Sequence, residues 1–159
     1  MTEQDIIDLW DKYGTPDEIR EHCKAVCVAA TYYAERMGNV NQELVEDAAL
    51  LHDIVRHRKG HETAGAAILA EEGYPDIAWI VARHSDFPDR EWSEPLAAET
   101  ALVYLADKQM KGTQMVSIEE RFEASRQKIM LQEDREEALK IHEARYLQAK
   151  KLSKLFLGA

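Results

Sequence analysis

Apolar residues in this chain recur every three or four positions, and strict apolar/polar alternation is almost absent, so the pattern predicts helices and no strands. A first helix is expected over Glu3–Tyr13, stopped by Gly14. Thr15-Pro16-Asp17-Glu18 then reads as a capping box with Pro at the first helical position. The helix it opens carries Ile19, Val26, Ala30, Tyr33 and Met37 on one stripe and stops at Gly38. Asn41 is placed to cap a third helix, with Val40 and Val45 spaced for a staple across the cap. That helix carries Leu44, Val45, Ala48, Leu51 and Val55. A small-residue helix, His61–Glu72, ends at Gly73, and Pro75 opens the next, with Ile77, Ile80 and Val81 on one face. Ser85–Trp92 reads as a loop, and Ser93 as the cap of a helix carrying Leu96, Thr100 and Val103. Gly112 ends it or lies just beyond, and Ser117 with Glu120 forms another capping box. A charged helical stretch follows to Phe156, broken near Gln132–Asp134. The expectation is an all-α bundle of about six to eight helices in a single domain over 1–159, the last third closing the bundle or forming a dimer surface.

Several residues break the polar-outside rule. His22 lies on the stripe of Ile19 and Val26, and His52 on that of Ala48 and Val55. His84 follows Ile80 and Val81 at helical spacing, and Asp107 follows Thr100 and Val103. His61 shares a face with Ala64, Gly65 and Ile68. One inward histidine is commonly a hydrogen-bonded core residue. Burying an unpaired carboxylate, however, costs several kcal/mol or forces its protonation. Five helices each aiming a His or Asp inward suggest that these groups meet, and converging imidazoles and carboxylates suit a divalent transition metal.

The residues Ala-Leu-Leu-His52-Asp53-Ile-Val-Arg56, preceded by His22 and followed by His61 with Gly65-Ala66, Ile-Val-Ala-Arg-His84 and Tyr-Leu-Ala-Asp107-Lys108, resemble the HD-domain metal-dependent phosphohydrolases. The resemblance runs from Thr15 to Met110. It implies the all-α fold of that family, with the motif-bearing core in 15–110 and 117–159 packed on it. It implies one metal held by His22, His52, Asp53 and Asp107 and a second by Asp53, His61 and His84, Asp53 bridging them as the catalytic carboxylate. It also sets the preference for iron or manganese, with zinc, cobalt or nickel as substitutes. The chain reads HDIVR where the common form is HDIGK, so Arg56 stands for the lysine. The implied activity is cleavage of a phosphate ester of a small molecule, a nucleotide or phosphomonoester, by metal-activated hydroxide. Relatives with the same six ligands that use iron to activate O₂ supply a second reading, and a metal-pinned regulatory module a third.

Charge limits the partners. The net charge of −10 gives no overall attraction for nucleic acid, so a small phosphorylated substrate is expected rather than a polymer. Arg56, Lys108 and Arg83 lie beside the candidate ligands and are the expected phosphate-binding cations; Arg58, Lys59, His57 and His142 read as surface. No apolar run approaches the ~20 residues of a membrane span. Cys23 and Cys27, one helical turn apart, read as free thiols in or near the core. With no secretory signal at the N-terminus, they favour a cytoplasmic protein. Tyr32, Tyr33 and Trp79 are expected to serve in packing.

Overall fold

The computed structural model describes residues 1–158 and contains eight α-helices: α1 (Glu3–Tyr13), α2 (Asp17–Met37), α3 (Gln42–Leu51), α4 (His61–Glu71), α5 (Pro75–Arg83), α6 (Ala97–Lys108), α7 (Ile118–Met130) and α8 (Glu136–Leu157). A two-stranded hairpin, β1 (Met110–Lys111) with β2 (Gln114–Met115), separates α6 from α7. The fold is all-α as the periodicity predicts, and the hairpin is a correction. Its strands are too short to show alternation, and Gly112 (φ +62°), just beyond the end of α6, turns between them.

The centre is α6, whose residues from Thr100 to Asp107 are all buried. A helix buried on every face must be covered from several sides. Here α2, α3, α5, α7 and α8 all pack against it. The Tyr104 hydroxyl donates to the Arg145 carbonyl at 3.1 Å, tying α6 to α8. No described helix is long and apolar enough to cross a membrane.

Three local readings change. Thr15 does not cap α2: Pro16 holds the N-cap position without a side-chain bond, and the buried Thr15 hydroxyl instead donates to the Ile54 carbonyl at 2.7 Å. A cap bond spans three residues; this one ties the entry of α2 to the turn after α3 across 39 positions. Ser93 ends a 3₁₀ turn over Asp89–Ser93, and α6 starts later, from Leu96 with φ 59° in the left-handed region. Helix α3 ends at Leu51, so His52 to Val55 continue as buried turns instead of a straight helix. The caps at Asn41 and Ser117 form as expected, each side-chain oxygen accepting a backbone N–H. The gap between α7 and α8 falls at the expected break. Cys23 is buried, Cys27 half-buried, and both are free. Tyr33 is buried, but Tyr32 is 53% exposed, so packing does not account for it.

Gly65 lets α4 lie flush on that turn. A Cβ there would stand 3.4 Å from Val81 Cγ1 and 3.5 Å from Ile54 Cγ2. Alanine fits this space. Gly65→Val adds two methyls with nowhere to go and is expected to destabilise by about 1–3 kcal/mol, whereas Gly65→Ala stays near neutral; thermal denaturation separates them.

Candidate metal centre

Six side chains meet where α2, the turn after α3, α4, α5 and α6 converge. His22, His52, Asp53 and Asp107 each offer one donor atom, and these atoms lie within 4.8 Å of one another; Asp53, His61 and His84 form a second such group. The two groups share Asp53 but use different oxygens. Asp53 Oδ2 stands 3.4 Å from His22 Nε2 and 3.3 Å from His52 Nε2. Asp53 Oδ1 stands 3.4 Å from His84 Nε2 and 3.7 Å from His61 Nε2. Asp107 Oδ1 closes the first group at 3.1 Å from His22 Nε2 and 3.4 Å from His52 Nε2.

Backbone carbonyls hold three of the four imidazoles in one orientation. His22 Nδ1 donates to Gly112 O at 2.6 Å, His52 Nδ1 to Ala49 O at 2.6 Å, and His84 Nδ1 to Val81 O at 2.7 Å. In the neutral ring this fixes the tautomer and leaves the Nε2 lone pair facing the carboxylates. The hairpin therefore has a use: its turn glycine supplies the carbonyl that orients His22. His52 Nε2 and Asp53 Oδ1 are buried without any hydrogen-bond partner. Acceptors facing acceptors in a buried space call for a cation between them.

Without a metal, protons partly answer that demand. Burial works against a charged His52, but the adjacent Asp53 prevails and raises its pKa well above the ordinary value. Burial likewise opposes ionised Asp53 and Asp107; the facing histidines overcome it and hold both carboxyls well below the usual range. Metal loading at pH 7 is thus expected to displace a proton from His52. Affinity should rise as pH climbs through that raised pKa and fall as pH drops. Calorimetric titration in buffers of different ionisation enthalpy measures the protons released.

A cavity of about 430 Å³ opens over these groups, with His61, His84 and Asp107 in its wall. Arg56 and Lys108 line it too. Arg56 Nη1 donates to Asp53 Oδ2 at 2.9 Å, and Lys108 Nζ lies 3.6 Å from Asp107 Oδ2. Burial, reinforced by nearby arginines, lowers the pKa of Lys108 even against the pull of Asp107. Arg83 is not in this wall. Its guanidinium stacks on Trp79 at 3.5 Å and pairs with Glu91 at 3.2 Å, which corrects its placement beside a phosphate.

A family model described as the HD domain matches residues 19–109, more than half of the chain. The chain belongs to the HD domain family. All six converging side chains of this HD domain protein fall inside the matched stretch. The chain is also similar to the tRNA (cytidine(56)-2'-O)-methyltransferase of Thermoplasma volcanium, with 41% identity over 86 residues. Those residues make up 52% of this chain and 25% of that protein, so the likeness spans about a quarter of the relative's length. No solved structure matches.

The buried His/Asp cluster of this HD domain protein has the mixed nitrogen and oxygen donors that a divalent transition metal takes, and its two orphaned atoms fit such an ion. Other wall residues have no signal in the sequence. Arg121, His142 and Arg145 reach the cavity from α7 and α8, outside the matched stretch. His142, expected at the surface, is half-buried, and its Nε2 donates to the Phe122 carbonyl at 2.9 Å. Glu62, one position beyond His61, accepts from the Ser85 hydroxyl at 2.8 Å.

Proposed function

We propose that this HD domain protein is a metal-dependent phosphohydrolase. It cleaves a phosphate ester of a small molecule, a nucleotide or another phosphomonoester. The two donor groups would hold two divalent ions, iron or manganese in preference to zinc, cobalt or nickel. The observation that carries the reading is the set of six converging donors, two of their atoms orphaned, beneath a cavity also lined by Arg56 and Lys108. When bound, such ions bring a water's pKa toward 7 and polarise phosphoryl oxygens.

The chain's own residues supply the rest. Asp53 turns one oxygen to each donor group, which fixes their spacing. Arg56, held against Asp53, keeps other N–H groups for a phosphoryl oxygen, and Lys108 adds a charge from the α6 side. Residues of α7 and α8 also line the cavity, whose volume of about 430 Å³ suits a small molecule. With a net charge of −10 the surface gives tRNA no general attraction, so the methyltransferase activity named for the Thermoplasma volcanium protein is not carried over.

Phosphate release from a panel of nucleotides and phosphomonoesters, with Mn²⁺, Fe²⁺ or Co²⁺, tests the proposal. Turnover of at least one ester is expected; none by fully loaded protein rejects it. Oxygen consumption without phosphate release would select the oxygenase reading instead. Among active substrates, Arg56→Ala is expected to raise KM by about tenfold, the cost of a charged hydrogen bond. Arg83→Ala should stay within about twofold of wild type, because Glu91 and Trp79 hold that guanidinium out of the cavity wall.

A further inference from the structure

The cavity contains more positive charge than one phosphoryl group needs. Arg56 stands at the metal-centre end, against Asp53. Lys108, beside Asp107, and Arg121 and Arg145, on α7 and α8, line the same space. Their carboxylate partners are few. Lys108 has Asp107, which already faces His22 and His52. Arg145 has Asp86 at 3.8 Å, beyond hydrogen-bond distance, and its buried Nε has no partner. Among the described residues Arg121 forms no ion pair; it donates Nε to the Met110 carbonyl and Nη1 to the Ser125 hydroxyl, at 3.1 and 2.7 Å. Those two bonds fix its guanidinium without neutralising it.

Such a cluster is unexpected in a chain of net charge −10, where carboxylates are plentiful. Like charges brought together in a partly dry space repel, and an anion that bridges them offsets the cost. The neighbouring wall is apolar, with Phe122, Ile129, Ala138 and Ile141 on α7 and α8. A substrate seated here therefore finds the metal-centre residues, an apolar wall and cations beyond Arg56 in one cavity.

Resting on the phosphohydrolase reading above, we infer that Arg121 and Arg145 form a second anion subsite, selecting small phosphate esters that carry a further oxyanion, phosphate or carboxylate, away from the scissile group. Arg121 and Arg145 are specificity-determining residues in this arrangement. They lie outside the matched stretch, one on α7 and one on α8.

The test uses the full, metal-loaded chain and three probe series on the same three- to six-carbon frames: alkanediol monophosphates, α,ω-bisphosphates and ω-phosphocarboxylates. Wild type is expected to bind the best two-anion probe at least about tenfold more tightly than its monophosphate, by calorimetry. Arg121→Gln and Arg145→Gln should each remove about tenfold from two-anion binding and leave the monophosphate unchanged. Arg121→Lys, which keeps the charge, should recover part of the loss. Whether bisphosphate or phosphocarboxylate binds better names the oxyanion. Equal binding of one- and two-anion probes by wild type, or equal losses for both in each folded Gln variant, overturns the subsite. Binding is read apart from turnover, so selective two-anion binding without phosphate release would reject the hydrolase reading and leave the subsite standing.

Discussion

Asp53→Asn is expected to load no metal at either donor group and to lose activity by far more than the 10–100-fold typical of residues that merely support ligands. Asn has nearly the shape of Asp, so the turn after α3 keeps its packing. It carries no charge, and only one of its two terminal atoms can face an ion. Both donor groups depend on Asp53, through Oδ2 in one and Oδ1 in the other. The loss should therefore be joint instead of halved. Metal content after gel filtration measures it directly. Melting gives a second readout: a ligand at 100 times its Kd stabilises by about 2.7 kcal/mol, which for a chain of this length is about 5–10 °C. Wild type should show that shift on loading and lose it to a chelator. Asp53→Asn should show none, measured against its own metal-free melting point, which falls below that of wild type because His52 and Arg56 lose their carboxylate partner. An Asn variant that still takes up two ions would mean the carboxylate is not shared.

The convergence behind that expectation was legible in helical phase. His22, His52, His84 and Asp107 fall on the same stripes as the apolar residues that bury them, and phase is a local property that a sequence carries openly. The oxygens each imidazole faces were not legible. They depend on how the turn from His52 to Val55 leaves the helix line, and on Thr15 reaching across to hold Ile54. The Gly112 carbonyl that orients His22 sits in a hairpin whose strands are two residues long, below the length at which alternation is visible.

Arg121 and Arg145 failed to stand out for a related reason. Each is one more cation on a charged helix, and its place in the cavity is decided by α7 and α8 folding back on α6. Arg83 misled in the opposite direction. Its neighbour His84 is buried at the centre, but adjacent positions on a helix lie about 100° apart, so proximity in sequence sent the guanidinium toward Trp79 and Glu91. For the same reason Lys108 owes its place in the cavity to the wall around it and not to following Asp107.

The number of ions then turns on His61. Its side chain is 22% exposed, whereas that of His84 is 2%, so removing His61 leaves the smaller hole and the cleaner experiment. His61→Ala is expected to lower metal stoichiometry from two to one, because the first group keeps all four of its donors. Activity should fall by two or more orders of magnitude if both ions act on the phosphoryl group, about what the loss of one charge-stabilising contact costs. Glu62 could mask this result. Its Oε1 lies 3.4 Å from His61 Nε2 and could swing into the space the imidazole leaves. Ser85 holds that carboxylate at 2.8 Å, which opposes the move. The double variant His61→Ala/Glu62→Gln removes the substitute, and should bind one ion even if the single variant retains two. Should wild type and both variants bind one ion alike, the second group holds no metal, and His22, His52, Asp53 and Asp107 alone would remain as the centre.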